Sequence, residues 1–317
     1  MTATQLILAC LLDVMVGDPR WFPHPVRLMG LAIARSEQWV WHLASGPGYE
    51  RAAGAALAVG LPALCYGAGL LAIEAAGWMS AMLGAMVGVV LAWTTLAARD
   101  LADHATAVER ALEAGSLDSA RTAAGRIVGR DTAALSEGEV VRATVESVAE
   151  GACDGVVAPL VYLVLGGPPL ALAYKAINTL DSMIGHHAEP YQHVGWASAR
   201  LDDVANWVPA RITALLLVLA AGIVSRRSRT MREGWRILRR DGHKHPSPNA
   251  GRPEAAMAGA LQVQLGGLNL YRGEPELRPY LGDPGAPWHP AHIKEAVALM
   301  WTASFLAAVL AVGLLLR

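Results

Sequence analysis

Residues 78–98, WMSAMLGAMVGVVLAWTTLAA, and residues 296–316, AVALMWTASFLAAVLAVGLLL, decide the fold class. Neither run holds an ionised side chain, and each is about as long as the roughly 20 residues a helix needs to cross the hydrocarbon of a bilayer. Each also carries Trp near one end, where an amphipathic ring favours the membrane interface. Four further apolar runs lie at 5–17, 52–73, 156–174 and 208–225. The first is short and contains Asp13, and 156–174 holds Pro159 and reaches GGPP at 166–169. Such a run is expected to turn back or to lie inside protein, where freed backbone groups find partners. The expected fold is therefore all-α: a polytopic integral membrane protein, multi-pass, with amphipathic helices and ordered polar loops at the cytoplasmic face.

Composition agrees. The 317 residues are 54% hydrophobic and 17% charged, with a formal net charge of −1, and the mean hydropathy is +0.34. Such a chain is no disordered tail, and its charge balance argues against a nucleic-acid module. Cys10, Cys65 and Cys153 lie too far apart for a metal knuckle, and disulfides are not expected to contribute. The N-terminal run lacks a basic flank and a small-residue cleavage site, so it reads as retained.

Polar sequence separates the apolar runs, and the whole of 1–317 reads as a single integral membrane domain with cytoplasmic-face regions at about 99–155, 175–207 and 226–295. Residues 226–240 contain seven arginines against the single acid Glu233, which places that segment in the cytoplasm by the positive-inside tendency. Two amphipathic helices are expected in 99–150, punctuated at Gly115 and Ser116. Pro and Gly dominate 242–290, so ordered loops are expected there, with a short helix across EAAMAGALQVQL and no strand anywhere.

Four constellations carry chemistry. In 18–30, DPRWFPHPVRLMG, prolines stiffen a segment displaying Asp18, Arg20, His24 and Arg27, a way to hold an anion or simply a rigid interfacial turn. In 145–159, Glu146 and Glu150 share a helical face and Asp154 follows, so carboxylates can gather around a divalent cation or an attacking amine. The densest stretch, 174–216, holds Lys175, Asn178, Asp181, His186, His187, Asp202, Asp203, Asn206 and Arg211 beside apolar sequence, where unpaired polar groups are costly. Asp202 and Asn206 lie four apart, and with Asp181 or Asp203 they make an oxygen-rich set suited to Mg²⁺ rather than zinc. In 240–267, His245, Ser247 and Asn249 precede a helix start, a context for phosphate donors or for a capped polar loop.

The runs GDPRWFPHPVRLMG (17–30), RDLADHA (99–105), GRIVGRDT (125–132), ATVESVAEGACDGVVAP (143–159), YKAINTLDSMIGH (174–186), GWASARLDDVANWVPARITA (195–214) and HPSPNAGRPEAAMAGALQVQLGG (245–267) together resemble the adenosylcobinamide-phosphate synthase family, CobD/CbiB, over nearly the whole chain. That resemblance implies a membrane enzyme of cobalamin biosynthesis, in the cell inner or plasma membrane, that uses ATP to join adenosylcobyric acid to aminopropanol or aminopropanol phosphate. The corrinoid would be substrate rather than cofactor, and no nucleic acid would be bound. Other late cobalamin-assembly enzymes are expected partners.

On that reading Glu150 or Asp154 takes a proton from the amine, and Lys175 and Arg211 stabilise developing charge. Glu146, Asp181, Asp202, Asp203 and Asn206 are the candidates for Mg²⁺. Asp18, Arg20, His24, Arg27, Arg130, Asp131, Asn178, His245, Ser247 and Asn249 are the candidates for binding substrate. The family usually has Asn where this chain has Gly151, which removes a carboxamide beside the acidic cluster. A transporter or binding subunit for a corrinoid or phosphorylated metabolite is the alternative reading, since broken helices and intramembrane polar groups serve both.

Overall fold

The computed structural model describes residues 1–43, 46–185, 189–285 and 287–317. Helices dominate it, and five helical segments are long and apolar enough to cross a membrane: Pro47–Met79, Ala81–Glu113, Glu137–Ile184, Trp207–Ser225 and Ala291–Leu315. Their outward faces carry large apolar side chains, among them Val59, Leu71 and Trp78 on the first and Phe305 and Leu314 on the last. Lipid solvates such faces and water does not. The chain forms two compact units.

The first unit comprises Met1–Ala97, Ala158–Asn206 and Ala308–Arg317. Its helices are α1 (Ala3–Val16), α2 (Pro25–Leu43), α3 (Pro47–Met79), α4 (Ala81–Trp93), α8 (Ala158–Ile184) and α9 (Trp196–Ala205). A capping box starts α1: the Gln5 N–H donates to Thr2 Oγ1 and the Thr2 N–H to Gln5 Oε1. Ser80 divides the 78–98 run. Its extended backbone ends α3, and its Oγ accepts from the Leu83 N–H at 3.0 Å to start α4. At about 1.5 Å per residue, α4 is about 20 Å long, short of a bilayer core by itself. The core lies where Met29 and Ile33 of α2 and Leu61 of α3 meet Leu172, Ala176, Leu180 and Ile184, one four-residue stripe of α8. Helix α8 is broken at Gly167 (φ 70°, ψ −166°), where Pro168 and Pro169 remove backbone donors. The run 156–174 is thus kinked, and most of its residues are buried by the chain.

The second unit comprises Ala98–Val157 and Trp207–Ala307. It contains α5 (Ala98–Glu113), α6 (Leu117–Ala124), α7 (Glu137–Ala152), a π turn at Cys153–Val157, α10 (Trp207–Ser225), α11 (Ser228–Asp241), α12 (Gly251–Leu261), two strands, and the larger part of α13 (Ala291–Leu315). The two expected helices of 99–150 are α5 and α7, with α6 added between them. Helix α12 packs against α7, α10, α11 and both strands. Its small residues, Ala255, Ala256, Ala258, Gly259 and Ala260, are all buried and admit close neighbours.

The expectation of no strand is corrected by β1 (Leu265–Tyr271) and β2 (Glu274–Leu281), an antiparallel hairpin. Arg272 and Gly273 both have positive φ, 53° and 82°, the condition for a two-residue turn that follows strand twist. At the other end Gly266 and Gly267 (φ 84° and 89°) form a bulge in the register. The predicted helix across 254–265 stops early because Gln262 adopts the left-handed conformation, which releases 263–265 toward β1.

Candidate functional site

A buried ionic centre joins α7 to the hairpin in the second unit. Helix α7 starts with a capping box, the Ser136 N–H donating to Glu139 Oε2 at 2.8 Å. The next turns place Arg142 and Glu146 on one face. Glu146 Oε1 accepts from the Gly266 N–H at 2.8 Å, and Oε2 accepts from Arg130 Nη2. Arg142 Nη1 lies 3.9 Å from the same carboxylate, and Arg142 Nη2 donates to Leu268 O and Asn269 Oδ1, both at 3.0 Å. Arg130 Nη1 also donates to Asn269 Oδ1. Arg142, Glu146 and Asn269 are all buried, so these bonds are the pairing that a desolvated charge requires. A dication at Glu146 would have to displace them. Asp131 Oδ2 accepts from the Gly273 N–H at 2.7 Å, and the Asp131 N–H donates to Leu270 O at 2.8 Å, clasping the hairpin turn.

Beyond this centre stand Glu150, Glu254, His245 and Arg278. Glu150 is exposed to solvent at the end of the α7 face that carries Glu146. Glu254, on α12, is buried, and burial followed by the nearby charges of Glu146 and Glu150 pushes its carboxyl well above the usual range. Arg278 Nη1 lies 2.9 Å from His245 Nε2, while the Ser247 N–H donates to His245 Nδ1 at 3.0 Å. Both ring nitrogens therefore face donors. Burial first, then the Arg278 charge, lowers the His245 pKa to about 4. Ser247 Oγ accepts from the N–H groups of Asn249 and Ala250, both at 3.2 Å, and so fixes the loop leading into α12. Asp154 lies in the π turn. Arg211 Nη1 donates to Trp207 O at 2.5 Å and contacts Asn249 Oδ1 at 3.4 Å, its guanidinium 4.0 Å from the Trp207 ring centroid.

In the first unit, α8 and α9 assemble an amide–carboxylate group. Asn206 Nδ2 donates to both oxygens of Asp202 at 3.0 Å, and Asn206 Oδ1 accepts from Tyr174 OH at 2.9 Å. Asn178 Nδ2 approaches Asp202 Oδ1 at 3.4 Å. Tyr162 stacks on Tyr174 at 4.8 Å and donates to Ala205 O at 2.8 Å, which sets the end of α9 against α8. Lys175 and Asp181 lie on α8 with Asn178, and Asp203 on α9 pairs with Arg200 at 3.8 Å. Among the described residues no three His, Cys, Asp or Glu side chains form a ready metal cage. Mg²⁺ does not need one, since it keeps waters and takes one or two carboxylates with substrate phosphates. The hard oxygens of Asp202 and its neighbours fit that chemistry.

The proline-rich segment is braced internally. Arg27 donates through Nη1 to Arg20 O (2.8 Å) and Phe22 O (3.3 Å) and through Nη2 to Pro19 O (3.0 Å). His24 Nε2 lies 3.4 Å from Asp18 Oδ1, and Arg20 is exposed. His186 and His187 lie outside the described residues. Gly151 packs beneath Leu101 of α5: a Cβ there would stand 2.8 Å from Leu101 Cδ2, so α5 occupies space that a larger residue would use.

Sequence reading gave no site role to Arg142, Asn269, Arg278 or Glu254. Arg142 had a signal, standing four residues before Glu146 on an apolar helix. Asn269 and Arg278 had none without the hairpin that carries them.

The fold and these polar centres define a polytopic helical membrane protein with charged groups built into its helices. A family model described as CobD/Cbib protein matches residues 6–300. The chain belongs to the CobD/CbiB family of cobalamin biosynthesis proteins. It is 48% identical over 306 residues to cobalamin biosynthesis protein CobD of Geobacter metallireducens, covering 96% of this chain and 94% of the relative. It is 44% identical over 314 residues to CobD of Klebsiella pneumoniae (99% and 97%), and 42% identical over 316 residues to cobalamin biosynthesis protein CbiB of Salmonella typhimurium (99% and 97%). These names are consistent with a biosynthetic enzyme. No solved structure matches.

Proposed function

We propose that the protein is an ATP-dependent acid–amine ligase of the cell inner or plasma membrane, joining adenosylcobyric acid to (R)-1-aminopropan-2-ol or its O-phosphate. The observation that carries this reading is the pair Glu150 and Glu254 beside Arg278, carboxylates of contrasting exposure in one polar centre of a cobalamin-biosynthesis family member. A carboxylate does not condense with an amine until one oxygen becomes a leaving group. In the proposed reaction the corrinoid carboxylate takes the γ-phosphoryl group of ATP, releasing ADP. The ammonium gives up one proton to become the nucleophilic amine, its nitrogen attacks the acyl carbon, phosphate leaves with its oxygen, and the nitrogen loses a second proton to give the amide.

Glu150 suits acceptance of the first of these protons, because it is accessible and stands near the Arg278 cation. Asp154, three residues after Gly151, is the second candidate. Lys175 and Arg211 are assigned to charge that accumulates on transferred oxygen. Asp202, with Asp181, Asp203 and Asn206, would hold Mg²⁺, which when bound would neutralise nucleotide phosphate charge. Asn178, His245, Ser247 and Asn249 are assigned to substrate, as are Asp18, Arg20 and His24. Arg27, Arg130 and Asp131 are assigned to the frame, because the bonds above engage them in bracing loops and the hairpin. Other late cobalamin-assembly enzymes are the proposed partners.

The test is nucleotide accounting with detergent-purified protein. One ADP and one phosphate released per amide supports the ligase; saturable corrinoid binding with no nucleotide turnover transfers support to the transporter or binding-subunit reading.

A further inference from the structure

We infer that the cavity lined by α10, α11 and the start of α12 is a binding site for a phosphate group. This goes beyond the amidation reading: Arg211 forms one wall, but Arg239, His243 and Arg252 have no part in that reaction. The cavity encloses about 380 Å³, and these four residues make its polar lining. Among the described residues that line it there is no carboxylate.

Acids are not scarce nearby, and this makes the omission informative. Arg236 and Arg240, on the same helix as Arg239, are paired with Glu233, Asp241 and Asp283. Asp241 is fully buried and also takes Lys244 at 2.6 Å and the Gly282 N–H at 2.8 Å. The acids of α11 and the hairpin end are thus committed elsewhere. Arg252 Nε is buried with no hydrogen-bond partner, a cost that native proteins rarely leave standing. Arg211 is held from behind by Trp207 and Asn249. Like-charged guanidiniums held around a cavity repel one another, and an anion with oxygens on several sides relieves that repulsion while accepting paired N–H donors.

The cavity is bordered by Leu215 and Trp235, both exposed apolar side chains. Leu215 belongs to a helix able to cross a membrane. The ligand class is therefore a phosphate ester, drawn either from an anionic lipid headgroup at the bilayer surface or from a soluble phosphorylated metabolite.

The experiment compares the wild-type protein with the double variant Arg239→Gln/Arg252→Gln in two arms. One measures retention of phosphatidylglycerol against phosphatidylcholine in nanodiscs by native mass spectrometry. The other titrates inorganic phosphate and phosphoethanolamine by calorimetry. Saturable binding in either arm, weakened at least tenfold in the double variant, supports the site and identifies its source. Thermal unfolding without phosphate ligand is the second readout: Arg252→Gln should unfold no lower than wild type, since it removes the unpartnered buried Nε–H and one of the like charges around the cavity. Absence of saturable binding in both arms, binding unchanged in the double variant, or a marked fall in the unfolding temperature of unliganded Arg252→Gln overturns the inference.

Discussion

Arg142 and Asn269, 127 residues apart in sequence, meet at 3.0 Å with both side chains buried. The bond joins the first apolar face of α7 to the β1–β2 hairpin. Together with Glu146 it makes the hairpin's position depend on ionic groups as well as on the fully buried Leu265 and Leu281. A buried pair is costly to break from one side, since the remaining charge stays desolvated.

Glu146→Ala should therefore destabilise the protein by about 3–5 kcal/mol, leaving Arg130 and Arg142 without their carboxylate. Arg130→Met/Glu146→Met should lose less than Glu146→Ala. Reversible unfolding in mixed micelles measures both, and a larger loss in the double variant would contradict the ionic account.

The glycines of the hairpin differ in what surrounds them. A Cβ on Gly267 would stand 2.9 Å from Tyr280 Cε1, whereas one on Gly273 would meet nothing within 4 Å, although both residues have positive φ. Backbone strain of about 1–3 kcal/mol is expected at either position. Gly267→Ala should add loss of packing and speed amide hydrogen exchange in β1 and β2 beyond the effect of Gly273→Ala. Equal exchange in the two variants would show that the bulge does not seat the hairpin.

Two groups give the stability opposite pH slopes. His245 is lowered from 6.5 to about 4, so between those values the unfolded chain binds more protons and stability falls as pH drops. Glu254 is raised above 4.5, so the folded chain binds more protons there; that contribution is complete below 4.5 and is lost as pH rises through the folded value. His245→Gln should flatten the acid side of a melting-temperature profile. Glu254→Gln should melt higher than wild type at neutral and alkaline pH, and a lower melting temperature there would refute the assignment.

Asn206 orients Asp202 by donating to both of its oxygens and anchors to Tyr174. If Asp202 holds Mg²⁺, Asn206→Ala should weaken Mg²⁺ affinity by at least about 10–100-fold, the usual consequence of losing a group that orients a ligand, since Asn206 both orients Asp202 and is itself a candidate to hold the ion. Titrating Mg²⁺ against nucleotide turnover measures this, and an unchanged half-saturation would remove Asp202 from the metal site.

The spanning helices were legible because lipid demands long, predominantly apolar runs, and Pro47–Met79, Trp207–Ser225 and Ala291–Leu315 answer that demand. The break at Ser80 was hidden, since one small polar residue hardly alters an apolar run yet caps a new helix. The hairpin was hidden for another reason. Its bulge at Gly266 and Gly267 interrupts alternation, and β2 presents Glu274, Glu276 and Arg278 where an apolar face is usually sought. Asp202 and Asn206 were legible as a pair from their four-residue spacing, whereas the approach of Asn178 to Asp202 was not, because it depends on the packing of α8 against α9. Glu254 and Arg278 acquired meaning only after α12 and the hairpin were folded beside α7.

The central claim is amide formation by this chain. Purified protein supplied with Mg²⁺, ATP, adenosylcobyric acid and aminopropanol phosphate, and in parallel with free aminopropanol, should yield the corresponding amide by mass spectrometry. Omitting Mg²⁺, ATP, the acid or the amine should abolish it. Binding of the corrinoid with no amide from either amine would contradict the ligase account and leave transport or an accessory role in its place.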